Sequence, residues 1–335
     1  MNLKQLAKEL NLSVSAVSKA LRDSHEISQK TKAIVLAKAK ELNYQVNPFA
    51  SSLRKQKSKT IAVVIPEIDN NFFALAIKGV ETIAQEKGYH VLIYLTHEDI
   101  EKEKSVTNLL QNGRVDGVMI SVSSQTKDIK HLQNLMNNDI PIVFFDRVAE
   151  KIDAPKITTD DYQSGINATE HLIENESKKI AFLSISDELS ICKERLRGYM
   201  DALKKNKIKI DESLIIDCNQ DKLYNKKILT KLLRKKNRPN GIFASVEKLA
   251  LAAYEVCHEL DLKIPEDLKI IGFSNLRTAS LLNPSLSTIT QPAYEIGREA
   301  ASLLFAMVEK RGYKMIPENT VIPSTINARK STQKI

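Results

Sequence analysis

Residues 3–21, LKQLAKELNLSVSAVSKAL, decide how the chain begins to fold. Leu3, Leu6, Ala7 and Leu10 recur at helical spacing, and Asn2 with Gln5 has the pattern of a capping box. The interruption NLS follows, with Ser13 placed to cap a second helix. Val17 and Leu21 form the inner stripe of that helix, with Val14 or Ala20 at its edges. Two short helices joined by about three residues have the layout of a helix-turn-helix. A third helix is expected from near Ser28 to about Asn43, burying Ala33, Ile34, Ala37 and Leu42. So small a bundle buries little surface and depends on close packing. It suits a reader whose second helix enters the DNA major groove. Ser13 opens that helix, and Val14, Ser15, Ser18 and Lys19 lie on or near its outer face. Val14 and Ala16 can touch a thymine methyl, the serines can bond bases or phosphates, and Lys19 can reach guanine or phosphate. A face that is only solvated would have the same composition.

Charge separates this head from the rest. Residues 1–59 hold 12 of the 50 Lys and Arg but only 4 of the 41 Asp and Glu, which is +8 of the net +9. A small basic module on a near-neutral body suits a partner that is a polyanion. Between the two lies NYQVNPFASSLRKQKSKT, residues 43–60. Asn47 before Pro48 is an N-cap and first-turn pair. PFASSLRK can form two helical turns but is too short to persist alone in water. With Arg54, Lys55, Lys57 and Lys59 beside it, the segment reads as a linker that becomes helical when held, or as a plain flexible linker.

From Thr60 the pattern changes to short apolar runs separated by helix-like segments. The runs are 60–65, 90–95, 116–121 and 141–146, then a second series at 179–184, 214–217, 241–245 and 268–273. Continuous β-branched runs of this kind indicate parallel strands covered on both faces. Two series imply two doubly wound subdomains. Ligands of such sheets bind beyond the carboxyl ends of the strands. The residues there are Asn71, Phe72 and Phe73, then Ser121 and Ser123, then Asp146 and Arg147, with Asp160, Ser274 and Asn275 farther on. Amides, an Arg and aromatic faces suit a sugar or a similar small polar metabolite.

Taken in order, several motifs resemble one family. They are LKQLAKELNLSVSAVSKAL, ELNY, NPFASSL, TIAVVIPEIDNNFFALAIKGVE, VDGVMIS, IPIVFFDR, ITTDDYQSG, RLRGYMDAL, IPEDLKIIGFSN, PSLSTITQP and ARKST. The resemblance is to the lactose-repressor (LacI/GalR) family of bacterial transcription factors, and it spans essentially the whole chain. It implies a helix-turn-helix head at 1–46, a hinge helix at 47–59 and an effector-binding and dimerisation body of periplasmic-binding-protein type at 60–335. The first subdomain would comprise about 60–159 and 290–319, the second about 160–289 and 320–335. It also implies that Val14 and Ser15 discriminate operators, that Ser18 and Lys19 match the family's Ser-Arg pair, and that Leu53 is a minor-groove wedge. Asn47, Ala50, Ser51, Arg54 and Lys55 flank that wedge, with Ser51 where the family has Arg. Arg195 falls in a ligand-contacting region. Ser274 stands where relatives carry an effector-binding Asp, Glu247 stands for another Asp, and Gln220 for a stacked aromatic. These departures imply altered effector specificity.

Other classes find little support. No dinucleotide-binding glycine motif, phosphate loop or nucleophile elbow is present, and the six His show no metal-ligand spacing, so neither catalysis nor a cofactor or metal is expected. The three scattered Cys do not make a disulfide framework. No apolar run of transmembrane length occurs, and MNLKQLAKEL lacks the apolar core of a signal peptide, so a cytoplasmic protein is expected. The rival readings are a sugar-binding protein without a regulatory role and a DNA-binding regulator governed by a protein partner. Two heads on a two-fold dimer require a near-palindromic operator. The last residues, ARKSTQKI, hold no heptad repeat, so a dimer is expected over a coiled-coil tetramer.

Overall fold

A computed structural model describes residues 2–44, 58–111, 113–309 and 319–334. The chain divides into two compact units, Met1–Ser58 and Lys59–Ile335.

In the first unit three helices enclose one small core. Helix α1 (Leu3–Glu9) begins with the capping box, in which Asn2 Oδ1 accepts from Gln5 N at 3.0 Å and Asn2 N donates to Gln5 Oε1 at 2.8 Å. Asn11 takes the left-handed conformation after it, at φ 52°, a position Asn tolerates better than most residues. Helix α2 (Val14–Leu21) is capped by Ser13, whose Oγ accepts from Ala16 N at 3.1 Å. Helix α3 (Gln29–Glu41) is capped by Ser28. Leu6, Ala7, Val17, Ala20, Val35 and Ala39 form the buried centre, with Leu42 packed against it. This corrects the expected face of α3. Ala33, Ile34 and Ala37 are exposed, and the buried positions are Lys32, Val35 and Ala39. The sequence KAIVLAKAK places apolar residues on every side of the helix, so periodicity alone could not choose among them. Lys32 buries its stem and brings Nζ to Asp23 at 2.6 Å.

The second unit is built on two six-stranded sheets. The first contains β1 (Thr60–Ile65), β2 (His90–Leu95), β3 (Gly117–Ile120), β4 (Ile142–Phe145), β5 (Lys156–Thr159) and β11 (Asn319–Ile322), in the order β11-β5-β4-β3-β1-β2 and all parallel. Alternate residues of β1 serve opposite faces. Ile61, Val63 and Ile65 pack under α4 (Asn71–Glu86) and α11 (Ala293–Glu309). Ala62 and Val64 pack under α5 (Ile100–Leu110) and α6 (Lys130–Asn137). The second sheet contains β6 (Ile180–Ser184), β7 (Ile215–Asp217), β8 (Gly241–Ala244), β9 (Lys269–Phe273), β10 (Ser287–Thr290) and β12 (Thr325–Asn327). Its order is β12-β10-β9-β8-β6-β7, parallel except for β12. Helices α7 (Asp161–Glu174) and α8 (Ser190–Lys205) cover one face, and α9 (Lys222–Leu233) and α10 (Glu247–Glu259) the other.

The chain crosses between the sheets three times, at 160, at 291–292 and at 323–324. The last crossing falls beyond the expected 319/320, because Asn319–Ile322 pairs with β5 in the first sheet. Each half also has one tight helix crossing. A Cβ on Gly297 would lie 2.0 Å from the Ala76 carbonyl oxygen, which joins α11 to α4. A Cβ on Gly198 would lie 2.2 Å from the Tyr162 oxygen, which joins α8 to α7. The second crossing sets Arg195 of α8 beside Asp161 of α7.

Candidate functional site

On the head, Val14 and Ser15 are exposed at the start of α2, Ser13 is exposed before them, and Ala16, Ser18 and Lys19 are half-buried. The outer face therefore offers a methyl-bearing surface and short hydroxyls. Ser13 already spends one acceptor lone pair on its own helix. Lys19, the longest polar side chain of the face, is ion-paired with Glu26 in the loop before α3. Sequence spacing gave no sign of this pair, because Glu26 belongs to no periodic segment. The expected contacts at Asn47, Ala50, Ser51, Leu53, Arg54 and Lys55 lie outside the described residues.

In the body, a cavity opens at the carboxyl ends of the strands of both sheets. Eight of the thirteen residues expected around an effector line it, namely Phe72, Phe73, Asp146, Arg147, Arg195, Glu247, Ser274 and Asn275. Asp146 follows the last residue of strand β4 and is held at φ 59°. This is a conformation that costs most side chains free energy and that collects at functional sites. It leaves the buried carboxylate accepting from Gln291 Nε2 at 3.2 Å, and burial pushes its pKa up against the pull of Arg147 and Arg195. The next residue, Arg147, donates from Nη1 to Glu98 Oε1 at 2.6 Å. Burial works against the Glu98 carboxylate, but Arg147 and the Ser124 N–H hold its pKa below the ordinary value. Arg147 Nε is buried, makes no hydrogen bond among the described residues, and lies 3.9 Å from Asp146 Oδ2. It is a spare donor inside the cavity.

Arg195 is 1% exposed. Its Nε donates to Asp161 Oδ1 at 2.7 Å, its Nη1 to the Ser245 carbonyl at 2.5 Å, and its guanidinium lies 3.5 Å from the centre of the Phe273 ring. Burial raises the Asp161 pKa to about 7, more than Arg195 lowers it.

Ser274 and Glu247 act as a pair: Ser274 Oγ donates to Glu247 Oε2 at 2.6 Å, which ties the end of β9 to the start of α10. The other oxygen, Oε1, accepts from Asn71 Nδ2 at 3.3 Å, across the cleft from the first subdomain.

The remaining expected residues sit elsewhere. Gln220 is at the rim, donating to Glu98 Oε1 at 3.1 Å and accepting from Lys248 Nζ at 2.7 Å. Ser121 is fully buried behind Arg147, whose N–H it accepts at 3.4 Å, and Ser123 is buried in the following loop. Asp160 staples the first crossing, accepting from Ser164 Oγ at 3.0 Å and Ser324 N at 2.7 Å. None of Ser121, Ser123 and Asp160 lines the cavity. Sequence reasoning missed Asn70, Ile191, Val246, Phe273 and Gln291, which also line the cavity. Phe273 could have been found, as it is the last residue of the run 268–273.

The cavity is closed by its own side chains and retains about 20 Å³, room for one water. Besides Asn71 to Glu247, the subdomains are joined by Lys248 Nζ to Glu67 Oε2 at 2.8 Å, Gln220 to Glu98, and Val148 N to Ser190 Oγ at 3.4 Å.

Comparison with known proteins places this geometry. Residues 58–331 match the model for periplasmic binding proteins and the sugar-binding domain of the LacI family, and residues 2–47 match that for bacterial regulatory proteins of the lacI family. The chain is 31% identical to the HTH-type transcriptional repressor CytR of Escherichia coli K12, over 92% of this chain and 89% of that protein. It superposes on the lac repressor dimer bound to operator and an anti-inducer with a TM-score of 0.84, at 21% identity, over 99% of both chains. A LacI-family regulator from Enterococcus faecium with bound ribose gives 0.71 at 28% identity, over 82% of this chain and 99% of that one.

Proposed function

Because the chain belongs to the LacI family of bacterial regulatory proteins, we propose that it represses transcription as a homodimer on a near-palindromic operator, under the control of a small polar metabolite held in the cleft of the body. DNA binding through the helix-turn-helix is the work of the head at 1–46, and the segment at 47–59 is the hinge that orders on the operator. The metabolite is a sugar or sugar derivative. The observation that carries this is the cavity itself. It presents carboxylates from Asp146 and Glu247, a spare Arg147 N–H and the rings of Phe72, Phe73 and Phe273 from both subdomains at once. Carboxylates and a guanidinium bond vicinal hydroxyls, while aromatic faces take the apolar side of a sugar ring.

Two-fold assembly has support on the surface of the second unit. Edge strand β2 leaves Leu92 and Ile93 each about two-fifths exposed, an unprotected edge of the kind that proteins cover. Leu223, Tyr224 and Leu251 are exposed on helices α9 and α10 of the second sheet. Exposed apolar side chains on a sheet edge and on helices suit a partner copy.

The experiment is genome-wide mapping of the bound sites, followed by a thermal-shift screen of the sugars handled by the genes beside them. A shared near-palindrome and one stabilising sugar are the expected results. Sites without two-fold symmetry, or turnover of the sugar, would overturn the reading.

A further inference from the structure

The near-neutral total of the body hides a second concentration of charge. Residues 202–238 hold 12 Lys and Arg against 4 Asp and Glu, while the rest of 60–335 is net negative. Part of this segment gathers at the amino ends of β6, β7 and β8, the end of the second sheet opposite the cleft. A groove of about 570 Å³ opens there. Its apolar floor is made by the half-buried Ile208 and Ile210, which lie over the buried Ile180 and Leu203. Its rim carries Lys178, Lys179 and Lys209. Lys179 is tied down, donating from Nζ to the Asn237 carbonyl at 2.6 Å. Lys178 and Lys209 are exposed and make no ion pair among the described residues. Lys235 and Lys236 are exposed just before Asn237, which also lines the groove, and add to the field. Two acidic residues, Asp211 and Glu212, also line the groove and offset part of this charge; both are exposed, and Asp211 accepts from Ser213 N at 3.0 Å and Ser213 Oγ at 2.6 Å.

We propose that this groove docks an acidic segment of a second protein, which seats an apolar side chain on Ile208 and Ile210 and carboxylates against Lys178 and Lys209. Charge complementarity selects an acidic partner and speeds encounter, while the floor supplies the desolvated anchor that carries affinity. A single nucleic-acid strand would answer the charge but not the floor. Such strands are held by exposed rings, and the only ring in the groove among the described residues, Tyr199, is 1% exposed. The position at the opposite ends of the strands leaves the cleft free, so a protein and a metabolite can act on the same molecule.

The test titrates the full chain with a labelled synthetic peptide of Glu with two interspersed Leu, and with a counterpart carrying Ser in place of Leu. Each is repeated on the double variant Lys178→Glu, Lys209→Glu and on Ile210→Ser, with unchanged melting as the check on folding. The Leu peptide should saturate, and its affinity should fall about tenfold or more in both variants and on replacing Leu by Ser. Equal affinity for the two peptides would reduce the face to non-specific attraction of anions. Failure to saturate, or binding indifferent to both variants, would place any contact elsewhere. Labelled single-stranded DNA that loses as much affinity as the Leu peptide on charge reversal would make this a nucleic-acid surface. Any of these results overturns the proposal.

Discussion

Lys19 shows how a single ion pair can set the strength of a DNA contact. It is the only long polar side chain on the outer face of α2, and Glu26 holds it. Both groups are largely in water, so the pair adds little to stability, but it lowers the charge that the face presents. Replacing Glu26 by Gln should raise operator affinity and steepen the slope of log affinity against log salt by up to about 0.9, the share of one added phosphate contact. An unchanged slope in anisotropy titrations would show that Lys19 does not meet phosphate. Leu53 bears on the same operator by another route. Its resemblance to a minor-groove wedge predicts that Leu53→Ala weakens specific binding far more than binding to random DNA, since only a kinked site gains from the wedge. Equal losses in competition gel shifts would discredit it. Asp161 supplies a pH test. Its folded pKa, about 7, lies above its unfolded value, so between about pH 4 and 7 the folded chain keeps a proton that the unfolded chain has lost. Stability from this group therefore falls as pH rises through that window and levels off above it. The melting temperature of the wild type should drop relative to Asp161→Asn between pH 5 and 8, by a few degrees. A constant difference would mean that the Arg195 pair keeps Asp161 ionised throughout.

Elements show where tolerance ends. The α4–α11 crossing is so close that a methyl on Gly297 would meet the backbone of Ala76 rather than a side chain that can turn away. Gly297→Ala should cost on the order of 1–3 kcal/mol, read as a lower urea midpoint with the slope unchanged. A midpoint within error of wild type would mean that the two helices can slide apart without loss. How far the elements could be read from sequence follows from the same packing. The eight strands with a continuous apolar run stood out: in six of them burial on two faces leaves no room for polar residues, while the edge strands β2 and β7 are apolar although partly exposed. The four that did not stand out are KITT, STIT, NTVI and TIN, at 156–159, 287–290, 319–322 and 325–327. They are short and rich in Thr, and β11 and β12 lie at sheet edges with partly exposed faces. Helix α3 was found but its buried face was not, since Ala33, Ile34, Leu36 and Ala37 make the outside as apolar as the inside. The cleft was more legible than α3. Residues just after apolar runs converge there by topology alone, whereas Glu98, Lys248 and Gln291 enter by side-chain reach, which spacing does not encode.

At the scale of the whole molecule, the contacts between the two sheets decide what a ligand has to do. Asn71–Glu247, Glu67–Lys248 and Glu98–Gln220 join the subdomains directly, and the cavity at the strand ends holds only about one water. A metabolite must therefore replace these bonds with its own, and it can shift the closed–open balance only by its differential affinity for the two states. Lys248 is the most informative probe, because it bonds Glu67 across the cleft and Gln220 on its own side, and so fixes the Gln220–Glu98 bridge as well. Its side chain is about one-third exposed, so each bond is worth roughly 1 kcal/mol at most after screening. Lys248→Ala should move the closed–open ratio by about fivefold to tenfold toward open. Dyes placed on exposed residues of α5 and α9 would report this as a lower energy-transfer efficiency in the variant. Saturating metabolite should restore the wild-type value if the ligand, rather than Lys248, can hold the cleft shut. Unchanged efficiency without ligand would mean that Asn71–Glu247 and the buried Arg147 and Arg195 clusters suffice to close it. The repressor would then be closed in the absence of effector, and the metabolite would have to act by opening the cleft.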